Sequence, residues 1–109
     1  MLQGLKNDLF LWWWSSTKKV KGVKGLTLIR QYVTYGKGVT DLTWKLRYKN
    51  GRGKKDTARY ISERANDWNL RSTIRQIEKE RLPLEIEAIK ESIAKRKQAE
   101  QADNNKKSL

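Results

Sequence analysis

From Leu42 to Tyr48 apolar and polar residues alternate without a break, and no other feature of the chain constrains its fold as tightly. Leu42, Trp44, Leu46 and Tyr48 fall on one face, with Thr43, Lys45, Arg47 and Lys49 on the other. Period-two alternation marks a strand with one buried and one wet face. Here the wet face is cationic. Asn50-Gly51 follows, a pair that accepts the positive φ of a type I′ turn and so predicts a hairpin. Arg52, Lys54 and Lys55 then decorate the turn and the start of the returning strand.

The flanking segments extend this into a sheet. Leu26 to Tyr35 is rich in β-branched and aromatic residues, which favour pleated backbone, and Gly36-Lys37-Gly38 reads as a turn. Val39 to Lys49 is the second predicted strand and Lys54 to Ile61 the third. A three-stranded antiparallel meander is about the minimum for an independent sheet, and it needs a helix over one face. That helix is expected to start near Ser62 or Asn66-Asp67, residues suited to an N-cap. Leu70, Ile74 and Ile77 then stand at i, i+4 and i+7 and would pack on the sheet, joined by Trp68. Pro83 either kinks this helix or sits in the first turn of a second. Leu82, Ile86, Ile89 and Ile93 form a short heptad seam, with Glu91 and Lys95 as an i, i+4 pair. Such a seam serves intrachain core or a dimer, so monomer and dimer both stay open.

The predicted class is α+β, a three-stranded antiparallel sheet packed against one or two C-terminal helices. Three regions follow: a Trp-rich leader with a basic linker over 1–25, one α+β domain over 26–97, and a polar tail over 98–109 whose composition predicts disorder.

Charge narrows the partners. The 109 residues hold 25 Lys+Arg against 12 Asp+Glu, a net charge of +13. So basic a domain is usually built to sit on nucleic acid or an anionic membrane surface. Neither Cys nor His occurs, which excludes disulfides, zinc fingers and Cys-His or Ser-His-Asp catalysis. Asp41 and Asp56 lie on or beside strands, but a metal-dependent nuclease needs several acids converging in a pocket. The expectation is a protein that is not an enzyme and holds no metal or cofactor. Its only long apolar run, Leu9 to Trp14, is too short to span a bilayer, so the chain is expected in the cytoplasm or on the nucleoid.

Two constellations stand out. Lys45, Arg47, Lys49 and Arg59, with Arg52, Lys54 and Lys55 at the tip, are the candidate nucleic-acid-binding residues. Arg makes bidentate contacts to phosphate or guanine and Lys supplies point charge. Trp12, Trp13 and Trp14 are the second constellation, with one or two rings in the core and the remainder docking a protein partner or anchoring at a membrane interface. The cations near this triplet in sequence lie downstream on the linker, which favours protein docking.

Gly25-Leu26, Trp44-Lys45-Leu46-Arg47-Tyr48, Gly51 and Thr57, followed by a helix, resemble the arm-type N-terminal DNA-binding domain of tyrosine recombinases (integrases). The resemblance covers about forty residues and is architectural. It implies a three-stranded sheet in the major groove braced by a C-terminal helix, with Lys45, Arg47 and the Lys49–Lys55 hairpin meeting DNA. The catalytic domain of that family is absent. The expected function is therefore non-catalytic DNA binding, as a free-standing module or accessory factor. RNA or ribosome binding, and a structural or adaptor role in a phage-type assembly, are the alternatives.

Overall fold

A computed structural model describes residues 2–49 and 56–107. The chain opens with helix α1 (Leu2–Trp14), and strands β1 (Ser16–Lys19), β2 (Thr27–Thr34), β3 (Val39–Lys49) and β4 (Asp56–Asn66) follow. Helix α2 (Leu70–Gln76) then runs through a π-helical turn, Ile77–Arg81, into the long α3 (Leu82–Lys107). The strands form one antiparallel sheet in the order β1-β2-β3-β4.

The sheet thus has four strands where the sequence predicts three. The extra one, β1, is built from Ser16-Thr17-Lys18-Lys19, part of the segment expected to be a flexible basic linker. It has no apolar residue and so no alternation to reveal it. Pairing with β2 supplies its order, Ser16 opposite Arg30 through Lys19 opposite Thr27. The turn that follows is closed by Val20 N–H donating to the Leu26 carbonyl at 2.9 Å, and it carries Val23 and Leu26 into the core. The leader is therefore integral to the domain rather than an appendage.

Alternation in β3 is realised as read. Leu42, Trp44, Leu46 and Tyr48 are buried, and the residues between them face away from the helices. Ile61 and Ala65 of β4 join the buried set, as do Leu70, Ile74, Ile77, Leu82 and Ile89. All three helices contribute to this single core: α1 adds Leu11 and Trp14, the latter edge-on to Trp44 with ring centroids 5.3 Å apart. The Leu82–Ile93 seam serves the same core, with Leu82 and Ile89 buried and Ile86 and Ile93 packed against it.

Three local expectations fail for identifiable reasons. The first helix does not begin at Ser62 or Asn66, because β4 pairs with all eleven residues of β3, ending with Asn66 opposite Val39. A turn follows, in which Asn69 N–H donates to the Asn66 carbonyl and Asn69 Oδ1 accepts from Asn66 N–H. Trp68 sits in that turn, outside the helical phase of Leu70 and Ile74, and is 80% exposed instead of buried. Finally, α3 continues through Lys107 into the polar segment predicted to be disordered.

Pro83 is the second residue of α3, in the first turn of that helix, and the helical path from α2 reaches it through the π-helical turn. It has no N–H, and its ring opposes the carbonyl four residues earlier. The wider π-helical turn ends two residues before it, and such turns are a known means of absorbing a local break in the i→i−4 ladder. One consequence of that turn is Glu78. Its carboxylate reaches the sheet, accepting from Arg30 Nη1 at 3.1 Å and from Trp44 Nε1 at 3.5 Å.

Candidate nucleic-acid interface

The register of the sheet sorts every strand residue to one of two faces. Residues paired with Leu42, Trp44, Leu46 and Tyr48 point to the helices, and the alternate set points outward. No helix covers the outer face among the described residues. Across it, Thr17, Ile29, Lys45 and Tyr60 form one row, and Lys19, Thr27, Arg47 and Ala58 form the next. Lys49 opposite Asp56 closes the described part of the β3–β4 ribbon.

These rows gather the open face's charge at one end. Lys19, Lys45, Arg47 and Lys49 lie there against a single carboxylate, Asp56, whose Oδ2 is 3.8 Å from Arg47 Nε. At the other end Arg64 Nε and Nη2 donate to Asp41 Oδ1 and Oδ2 at 2.7 and 3.2 Å, so the two charges cancel. The Arg64 guanidinium holds the Asp41 carboxyl below its usual range, with the neighbouring Tyr35 hydroxyl adding to the effect. Asp41 raises the Tyr35 phenol in return. The sheet surface is thus polarised along its strands, neutral near the β2–β3 turn and cationic toward the β3–β4 tip.

Of the candidate binding residues, Lys45, Arg47 and Lys49 share this open face. Arg59 does not. It stands opposite Leu46, on the helix side, and its Nε is 3.1 Å from Glu85 of α3. Hairpin parity assigns that face to Arg59, since a one-residue slip would be required to move it outward. Arg52, Lys54 and Lys55 lie outside the described residues. The register sets Lys49 opposite Asp56, not opposite Arg52 as a two-residue Asn50-Gly51 turn requires. The two registers differ by an even number of residues, so the assignment of faces is the same in both.

Two residues on the open face escape a reading of the sequence. Lys19 belongs to the strand mistaken for linker. Tyr60 is 59% exposed, and the Lys45 ammonium lies 5.8 Å from its ring centroid. Its parity with Ala58, opposite to that of Ile61, is the signal that places it outward. Tyr32, by contrast, packs against the core, and Tyr35 lies under the Arg64 guanidinium at 5.4 Å.

The Trp triplet divides. Trp14 is 1% exposed and Trp12 and Trp13 are 74% and 68% exposed. Asp41 of β3 pairs with Arg64 near one end of the ribbon, and Asp56 of β4 stands opposite Lys49 at the other, eight positions or about 26 Å away along β3. They cannot share an ion, and the described residues contain no group of three potential metal ligands. No described helix is long and apolar enough to cross a membrane. Comparison with family models, curated proteins and solved structures finds no match.

Proposed function

We propose that the protein binds nucleic acid through the open face of its sheet, without catalysis, and prefers duplex DNA to RNA. The observation that carries this reading is the collection of Lys19, Lys45, Arg47 and Lys49 on one uncovered surface, against one carboxylate. Lys45 and Lys49 are four residues apart on β3, or about 13 Å, and Lys19 and Arg47 are two strands apart, or about 10 Å. That footprint is close to the width of the B-form major groove, about 12 Å.

The sheet narrows toward this end. Beyond the Arg47–Ala58 pair only β3 and β4 continue, and a two-stranded ribbon is an element the major groove admits. A-form RNA has a deep, narrow major groove that excludes such a ribbon. Phosphate neutralisation would supply most of the affinity, with Arg47 able to make a bidentate contact to phosphate or guanine. The inner face braces the platform: Arg30, Glu78 and Trp44 tie β2 and β3 to the π-helical turn.

The test is binding to labelled duplex DNA, single-stranded DNA and RNA at two salt concentrations with excess random competitor. Strongest binding to duplex, weakening steeply with salt, is the expected result. A clear preference for RNA would move the reading to an RNA-binding protein. Absence of binding to any of the three at low salt would overturn it.

A further inference from the structure

The exposed Trp residues belong to a second surface, on the opposite side of the molecule from the open sheet face. Asn7, Leu11 and Trp14 of α1 recur at i, i+4 and i+7 and are buried against the body. Leu9, Trp12 and Trp13 occupy the opposite side of the same helix and are 71%, 74% and 68% exposed. Three large apolar side chains at i, i+3 and i+4 make one contiguous stripe. Isolated exposed apolar residues are ordinary, whereas a contiguous stripe marks an interaction surface.

What flanks the stripe identifies its occupant. Phe10 lies beside Trp13, ring centroids 6.1 Å apart, and the Arg71 guanidinium sits 4.8 Å from the Phe10 ring centroid. From there Arg71, Arg75 and Lys79 follow at i, i+4 and i+8 along α2 and the π-helical turn, edging a groove floored by Phe10 and Ile74. Arg30, Arg47, Arg59, Arg64 and Arg81 each reach a carboxylate of the protein itself. Arg71, Arg75 and Lys79 reach none among the described residues, and the groove's Glu78 is engaged by Arg30. Asp8, exposed on the other flank of α1, is away from this row.

We propose that the outer stripe of α1, with the adjoining Arg71–Lys79 row, is a docking surface for an anionic lipid bilayer. Indole rings favour the boundary between headgroups and acyl chains, and basic side chains beside them meet anionic headgroups. A second copy of the chain fits less well, because a two-fold contact through this stripe would bring two unpaired cation rows together. Bases stack on separate ring faces, whereas this stripe is a continuous apolar ridge with the aliphatic Leu9 at its head. The cations adjacent in sequence, on β1 and its turn, are not the ones involved. Folding brings Arg71, Arg75 and Lys79 to α1 from some sixty residues away.

The experiment is co-sedimentation of the full chain with vesicles of phosphatidylcholine mixed with phosphatidylglycerol, against phosphatidylcholine alone. Tryptophan emission is recorded in a Trp68→Phe background so that Trp12 and Trp13 dominate the exposed signal. Binding to the anionic vesicles with a blue shift is expected, falling at least about tenfold in Trp12→Ala/Trp13→Ala. Both residues are exposed, so the double variant keeps its fold, and its duplex DNA binding should match that of the parent. Anionic-vesicle binding unchanged in the double variant would overturn the proposal, since general electrostatics would then suffice. Concentration-dependent self-association lost on the same substitution, without a vesicle-induced blue shift, would overturn it in favour of a second copy. Loss of single-stranded oligonucleotide binding in place of vesicle binding would overturn it in favour of base stacking.

Discussion

Replacing Lys45, Arg47 and Lys49 together by Ala tests the open face quantitatively. All three side chains lie on the surface that no described helix covers, so their loss leaves the core intact. In B-form DNA each neutralised phosphate contributes about 0.9 to the slope of log K against log salt. Three lost contacts therefore flatten the slope by about 2.7. Between about 50 and about 200 mM salt, a fourfold range, the affinity gap between parent and variant should shrink about fortyfold. Arg47 is partly engaged by Asp56 at 3.8 Å, so Asp56→Asn should tighten binding by releasing it. Arg59→Ala is the control. Its guanidinium faces the helices and pairs with Glu85, so the salt slope should stay at the parent value. Fluorescence anisotropy over a salt series, with thermal melts to verify folding, gives all the slopes. A triple variant with the parent slope, or an Arg59→Ala variant that flattens it equally, would refute the assignment of the open face.

Other perturbations separate core from surface. Trp14→Ala removes a ring that is 1% exposed and edge-on to Trp44, and should cost about 3–5 kcal/mol in urea unfolding. Trp12→Ala, two positions away but exposed, should change stability by less than about 0.5 kcal/mol. Glu78→Ala leaves the Arg30 guanidinium, only 11% exposed, with Ser16 Oγ as an acceptor but no counter-charge, and leaves the Trp44 indole N–H without its acceptor. A loss of about 2 kcal/mol is expected by the same assay, reflecting an unpaired and partly buried charge. Asp41 is held below its ordinary range by Arg64, so its contribution is present above the unfolded value and is lost as pH falls through the folded one. Comparing Asp41→Asn with the parent across acidic pH should show the two stabilities converging at the low end.

How much of this was legible in the chain depends on whether neighbours in sequence or neighbours in space decide the outcome. Period-two alternation places Leu42, Trp44, Leu46 and Tyr48 on one side of β3 whatever packs against them, because pleated backbone turns successive side chains to opposite faces. The same rule sets Lys45, Arg47 and Lys49 on the other side, and helical spacing puts Leu70, Ile74 and Ile77 on one stripe. These features are local, and the residues alone determine them.

Only tertiary contact decides the rest. Ser16–Lys19 is a strand because β2 offers it an edge, since nothing in its own side chains favours one. Trp14 is buried and Trp13 exposed although both follow the same run, because α1 turns one stripe toward Trp44. Trp68, a residue the sequence assigns to the core, is exposed because β3 holds β4 extended through Asn66 and pushes the turn, not the helix, onto position 68. Arg71, Arg75 and Lys79 are about sixty residues from α1 in sequence, and only the fold sets the Arg71 guanidinium over Phe10, which in turn lies beside Trp13. Backbone periodicity is written into each segment, but which face ends up beside which is settled by burial of the shared core, and that is a property of the whole chain.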